Sequence, residues 1–421
     1  MIKRSFFALS KPRLTYDLLE PDPEGPQTIP VPDLITLLLT QAIDNTRPAL
    51  IKPGDPVKKG QKLALYEDST AYVVSPVAGT IKSIDTYPDD FGEIGTSIII
   101  AHDPEKISEI APLELPEDIL SADLHLQKLP GAPPFDILAD ENFKIRTIVI
   151  TGADTDLLTS TSQYVSTTHA RELEEGAAIL KRLTGTARIC LTLPEGINGQ
   201  DRFSSLQVLK TSSVYPDTLP AMIMKDHLDT VLPAGKTPED MGICFIRAEA
   251  VVSLAKTYEK KALVFEKHIT LVDKAGFRHR IKAVIGTPLS HIFSQLDIQI
   301  NDQDRIIIGG PLQGSATFTT HHPVTPDTDT VVVQDREILP KISDTPCINC
   351  GKCIQICPAS IPVNMLVRFL EVDQFEEAAD KGDLEACIEC GLCGFVCTSQ
   401  IALGQYIRLG KHELHKLRAE V

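Results

Sequence analysis

No apolar run in this chain approaches the ~18 residues of a membrane-spanning helix; the longest, around Leu34 to Ile43, is broken by Thr and Gln. A direct membrane span is therefore not expected. Nor is an export signal: Met-Ile-Lys-Arg-Ser-Phe-Phe-Ala-Leu-Ser-Lys opens basic, but only a few apolar residues precede Lys11 and Pro12, too few for a signal core. Basic residues are in deficit, with 41 Lys and Arg against 57 Asp and Glu and a formal net charge of −16. An acidic chain repels phosphate, which excludes nucleic acid and anionic lipid as broad partners. What remains is a soluble or peripheral protein of ordinary globular composition, 43% hydrophobic and 23% charged. Its 421 residues exceed a single core, so two to four domains are expected.

Cysteine is what the chain does have, and it is concentrated. Eight of the ten fall in two runs, Cys347-Ile-Asn-Cys350-Gly-Lys-Cys353-Ile-Gln-Ile-Cys357 and Cys387-Ile-Glu-Cys390-Gly-Leu-Cys393-Gly-Phe-Val-Cys397. Each reads C-x2-C-x2-C-x3-C, the spacing of bacterial two-cluster ferredoxins, in which the fourth cysteine of each run ligates the other cluster. Three thiolates in a tight turn reach three corners of one cubane, and the fourth corner needs a thiolate from elsewhere. The expected ligand sets for two 4Fe–4S clusters are Cys347, Cys350, Cys353 and Cys397, and Cys387, Cys390, Cys393 and Cys357. Gly351 and Gly391 let the backbone turn closely and aim N–H groups at sulfur. Structural zinc would leave the third cysteine of each triplet without a role, and a disulfide framework does not suit a long chain without an export signal. Cys190 and Cys244, in Ala-Arg-Ile-Cys-Leu and Gly-Ile-Cys-Phe-Ile, read as buried small hydrophobes in strands. Oxygen-sensitive clusters without an export signal favour the cytoplasmic side.

Along the chain, an N-terminal extension (1–28) leads to short strands with Pro-Gly-Asp turns over 29–104, which resemble the barrel-sandwich fold of biotinyl and lipoyl domains. Such domains carry their cofactor on a hairpin-tip lysine. Here the corresponding stretch, Tyr72-Val-Val-Ser-Pro, has none, and Lys58, Lys59 and Lys62 read as solvated strand-edge charges. A Pro- and Leu-rich linker (105–143) precedes a Rossmann-like α/β domain (144–265). Its buried strands are expected around Thr147, at Ala187-Arg-Ile-Cys-Leu and at Met241-Gly-Ile-Cys-Phe, with an amphipathic helix from Arg171 to Leu183. A small β-rich domain with one helix, Leu289 to Leu296, spans 266–317, and 318–344 reads as a polar linker with some strand character at Thr330-Val-Val-Val. The cysteine runs lie in 345–421, where Val363 to Ala379 carries a helical stripe and Leu403 to Leu417 a second helix. The 29 residues between Cys357 and Cys387 exceed the gap of a minimal ferredoxin, so this is an α-helical ferredoxin domain.

This order of parts resembles the RnfC family, components of the Rnf ion-translocating electron transport complexes, from about Ile29 to Lys416. The segments that carry it are Pro53-Gly-Asp-Pro-Val-Lys-Lys-Gly-Gln-Lys-Leu, Ser75-Pro-Val-Ala-Gly-Thr-Ile, Ile285-Gly-Thr-Pro-Leu-Ser, Gly309-Gly-Pro-Leu-Gln-Gly and the second cysteine run. The resemblance implies a multidomain α+β fold. Its parts are a barrel-sandwich hybrid, an α/β domain like the flavoprotein subunit of respiratory complex I, a small β-grasp (SLBB-like) domain and a two-cluster ferredoxin domain. It also implies FMN, an NADH oxidation site, two 4Fe–4S clusters and docking on membrane subunits. Four departures count against the flavin. The family's Gly-rich loop, Arg-Gly-x-Gly-Gly-Ala-Gly-Phe-Pro, is replaced by Leu126-Gln-Lys-Leu-Pro-Gly-Ala-Pro-Pro-Phe, where only Gly131 remains and Pro133 and Pro134 lack N–H donors. Its Asn-Gly-Ala-Glu-x-Glu-Pro becomes Thr151-Gly-Ala-Asp-Thr-Asp-Leu157, its Gly-Gly-Glu becomes Thr218-Leu-Pro, and its Asn-Val-Gly-Thr becomes Arg247-Ala-Glu-Ala. The FMN/NADH site is therefore expected to be degenerate, with FMN absent and Asp154 and Asp156 serving as helix N-terminal acids.

The resulting expectation is an electron-transfer component of a membrane-associated redox complex, not a stand-alone enzyme, with no catalytic residue of its own. It would sit peripherally on the cytoplasmic side of the inner membrane. It would relay single electrons between a protein donor or acceptor, such as a cytochrome or ferredoxin, and membrane subunits. The alternative is an FMN-containing, NADH-oxidising subunit with a divergent pocket. Thr398, where the first run has Pro358, implies a changed potential without giving its sign.

Overall fold

Alternating isoleucines close the first layer. In the computed structural model, which describes residues 11–20, 23–106, 110–111, 113–119, 124–197, 202–339, 342–343 and 345–419, an antiparallel sheet runs Leu34–Leu39, Ile94–His102, Gly79–Pro88, Pro56–Val57. Its register sets Ile35 against Ile100 and Leu37 against Ile98. Period-2 alternation then sends Ile35, Ile81, Ile98 and Ile100 into one core with Leu63. A separate pair, Lys62–Leu63 with Val73–Val74, completes this barrel-sandwich hybrid. Tyr72, Val73 and Val74 are buried, so this stretch is wall and not an exposed tip.

The α/β layer holds a fully parallel sheet in the order Gln207–Thr211, Arg188–Pro194, Thr147–Thr151, Ile243–Arg247. That is a Rossmann half, 3-2-1-4. Helices Ala170–Thr184 and Ala248–Lys260 cover one face and Pro220–His227 the other. The first two cross at Gly176, where a Cβ would lie 2.1 Å from the Val251 carbonyl oxygen. Cys190 and Cys244 are both fully buried in strands. Gln207–Thr211 is a strand that the sequence reading missed: Gln207 and Lys210 interrupt the apolar run expected of a parallel strand, because this one lies at the sheet edge.

The third layer is a six-stranded mixed sheet, Gln27–Thr28, Arg278–Val284, Glu266–Val272, Thr330–Gln334, Arg305–Ile308, Ser315–Thr317, packed on helix Leu289–Gln295. Two segments expected to lie outside the domains belong to it. Gln27 and Thr28, assigned to the N-terminal extension, pair in parallel with Ile281 and Lys282. Thr330–Gln334, assigned to the 318–344 linker, is an interior strand between Glu266–Val272 and Arg305–Ile308. Its valines are buried on both faces, as an interior strand requires. The 105–143 linker likewise contributes Leu126, Leu129 and Phe135 to the α/β core.

The C-terminal part is helical. The single stripe expected from Val363 to Ala379 is two helices, Val363–Leu370 and Phe375–Gly382. The break is local: Asp373 takes φ +56, and the N–H groups of Asp373 and Gln374 return to Leu370 O and Phe369 O. Helix Leu403–Ala419 follows.

Candidate iron–sulfur site

The second cysteine run repeats the first at a constant offset of 40 residues, Cys347 to Cys387 and Cys357 to Cys397, and the backbone repeats with it. Asn349 and Gly351 take φ +53 and +72, and their counterparts Glu389 and Gly391 take +54 and +72. Left-handed residues on either side of the second cysteine curl the chain into a nest. The N–H groups of Lys352 and Leu392 consequently face the sulfurs of Cys350 and Cys390, and those of Ile354 and Gly394 face Cys353 and Cys393. A short helix follows each nest, Lys352–Ile356 and Leu392–Phe395.

The fold brings the eight thiols into two groups. Cys347, Cys350, Cys353 and Cys397 line one cavity, with Gly351, Val367, Thr398 and Ile401 in its wall. Burial raises the thiols of Cys387, Cys390 and Cys393, the last two to about 11 and about 12, and Cys357 adds to the rise in all three. The fourth cysteine of each run thus faces the other run's triplet. All eight are free thiols. Among the described residues, no three such side chains converge on one point as ligands of a lone ion would; a cubane offers each thiolate its own iron, so convergence is not required. Thiols whose anion is disfavoured by burial, backed by N–H donors, suit a cationic iron–sulfur core.

The two groups have different surroundings. Cys350 is exposed, whereas its counterpart Cys390 is buried; Cys353 and Cys393 are both buried. Tyr215, at the edge of the α/β layer, donates its hydroxyl to Cys390 O at 2.6 Å, and Leu312 packs in the same cluster with Tyr16 and Leu219. Arg408 donates to Gly314 O and Gln313 O, and Lys411 to Cys387 O at 2.6 Å. The ferredoxin part is therefore fixed to both neighbouring layers through its second run. At the open end, Thr398 Oγ1 stands 3.3 Å from Cys350 Sγ and is the largest influence lowering that thiol.

Where the resemblance implies a flavin, the groups are committed to one another. Gly131 (φ +91) spends its N–H on Pro326 O at 2.7 Å, and a Cβ there would lie 2.3 Å from Ala250 N. Arg247 bridges Gly131 O and Asp329. Behind it lies a network that sequence reasoning missed: buried Lys267 pairs with Glu249 and Asp329, and Glu249 also accepts from His268 N and contacts His268 Nδ1. Charges on a strand and a helix start carry no sequence signal of mutual burial. Asp154 accepts from the N–H groups of Ser162 and Gln163, capping helix Thr161–Thr168 as expected of a helix N-terminal acid. Asp156 differs from that expectation. It accepts from Leu312 and Gln313 N–H and so holds the Gly309-Gly-Pro-Leu-Gln-Gly314 loop. These donors and carboxylates are satisfied by one another within the chain.

A family model for the RnfC barrel sandwich hybrid domain matches residues 24–105, and one for a 4Fe-4S dicluster domain matches 346–402. The C component of the ion-translocating oxidoreductase complex of Serratia proteamaculans (strain 568) is 26% identical over 380 residues, covering 84% of this chain and 53% of that protein. Its namesake from Rhodobacter capsulatus is 25% identical over 386 residues, covering 85% and 73%. The chain thus spans about half to three quarters of these relatives. Among solved structures, a NAD+-reducing NiFe hydrogenase in its H2-reduced state aligns with a TM-score of 0.45 at 13% identity, covering 69% of this chain and 62% of that one.

Proposed function

With the chain an RnfC-like protein, we propose that it is the iron–sulfur electron-relay subunit of an Rnf-type redox complex, working without its own flavin. The observation that carries this reading is the pair of thiol groups, each completed by the other run's fourth cysteine. Cys347, Cys350, Cys353 and Cys397 would hold one 4Fe–4S cluster, and Cys387, Cys390, Cys393 and Cys357 the other. Such a cluster accepts and releases single electrons when bound. The chain's own part is to hold it by thiolates, direct N–H groups at its sulfurs, and shield one site with Tyr215 and Leu312. The α/β domain is kept as a scaffold that anchors the ferredoxin part, residues 345–421. Electrons would pass between a protein donor, such as a cytochrome or ferredoxin, and membrane-bound subunits. No helix among the described residues is long and apolar enough to cross a membrane, which agrees with peripheral attachment, placed here on the cytoplasmic face.

The test is anaerobic isolation followed by iron, sulfide and flavin analysis. Eight irons and eight sulfides per chain with no extractable flavin are expected. Stoichiometric FMN, or bleaching of the clusters by NADH alone, would instead establish the NADH-oxidising alternative.

A further inference from the structure

The constant offset between the runs makes each site the other's internal control, and three differences stand out. After the fourth cysteine, one run has Thr398 where the other has Pro358. Thr398 Oγ1 lies 3.3 Å from Cys350 Sγ. A ligand thiolate has no proton, so the hydroxyl is the donor. Pro358 has neither hydroxyl nor N–H, and Cys390, the counterpart of Cys350, receives no such bond from that position. The second difference is cover. A Cβ at Gly351 would meet nothing within 4 Å among the described residues, while one at Gly391 would lie 2.5 Å from Leu312 O. The third is charge: Lys352 beside Cys350 corresponds to Leu392 beside Cys390. Lys411 approaches the covered site, but Glu389 pairs with it at 2.7 Å.

All three act with one sign. Reduction adds a negative charge to the cluster, and a hydroxyl donor, water and an ammonium stabilise it. Burial among apolar side chains opposes it. The geometry points to Thr398 as a positioning residue that raises the reduction potential of the open site above that of the covered one. This rests on the 4Fe–4S occupancy proposed above. The first electron would then settle at the solvent-facing end, where a partner protein can reach it, and the covered site would fill second.

The test is an anaerobic redox titration of the full chain, followed by electron paramagnetic resonance. Thr398→Val keeps the size, removes the donor and keeps water from the sulfur. It should lower one centre's potential by about a tenfold change in its one-electron equilibrium, about 59 mV, and leave the other in place. Thr398→Ser should restore it. An unchanged potential in the valine variant, or equal shifts in both centres, overturns the inference. If the valine variant does not load, the unsubstituted protein decides: the signal altered by Cys350→Ser has to be the one that is reduced first, and the reverse order overturns the inference. Fewer than two clusters in the unsubstituted protein would sink the proposed function and this inference together. Two clusters with unshifted potentials would sink this inference alone.

Discussion

Two buried carboxylates in this chain titrate in opposite directions, and the difference lies in their partners. Asp154 is raised to about 6 because burial outweighs the donors Ser162 and Gln163, and the neighbouring charge of Asp329 raises it further. Glu249 is pushed up by burial too, but the Lys267 ammonium and His268 outweigh that and hold it at about 2. The folded state thus binds a proton at Asp154 more tightly than the unfolded chain does. That contribution is complete below the ordinary value of 3.8 and is lost as pH rises through about 6. Glu249 contributes above its ordinary 4.5, and this is lost as pH falls toward 2. Asp154→Asn should therefore remove a decline in stability between roughly pH 4 and 6, at most about 3 kcal/mol, read from thermal midpoints across that range. A variant with the parent's slope would contradict the assignment. Lys267→Met leaves Glu249 buried without its ammonium, while Asp329 keeps Arg247, and should cost about 3–5 kcal/mol in denaturant unfolding; a loss under about 1 kcal/mol would mean the pair is solvated.

At the scale of the element, the nests were legible in the sequence because cysteine spacing and a following glycine dictate them. Their surroundings were not. Gly351→Ala meets no described residue within 4 Å and contends with its left-handed backbone, about 1–2 kcal/mol. Gly391→Ala meets the same strain and also drives a Cβ into the Leu312 carbonyl. The first variant should keep its full iron content with a slightly lower melting temperature. The second should lose iron from the covered site, or separate the ferredoxin helices from the Gly309–Gly314 loop. Equal iron content and equal melting in the two variants would refute the packing argument. The split of the Val363–Ala379 stripe has a similar origin. The apolar period continues through the break, and only the backbone turn at Asp373 separates the helices.

Over the whole molecule, the last strand of the six-stranded sheet, Thr330–Gln334, lies inside it, although it follows the other five in the chain. It bonds in parallel to Glu266–Val272 and antiparallel to Arg305–Ile308. A chain ended after Leu339 should keep the sheet's circular dichroism and cooperative melting. One ended before Thr330 exposes two strand edges and should aggregate or melt without cooperativity. Equal behaviour of the two truncations would show that the strand is dispensable.

The cysteine spacing by itself led to the two proposed ligand sets, because thiolate reach in a tight turn is a local property of a few residues. Local period and turn chemistry likewise determined the buried strands around Thr147 and Cys190 and the helices read from Arg171 and Leu403. Only the tertiary structure decided which site is open and which is covered. That depends on Leu312 and Tyr215, distant in sequence, packing against one nest and leaving the other free. It also decided that Lys267 and Glu249 face each other across elements, and that Thr398 turns its hydroxyl to Cys350. These are long-range contacts, set by how layers pack, and no run of neighbouring residues encodes them.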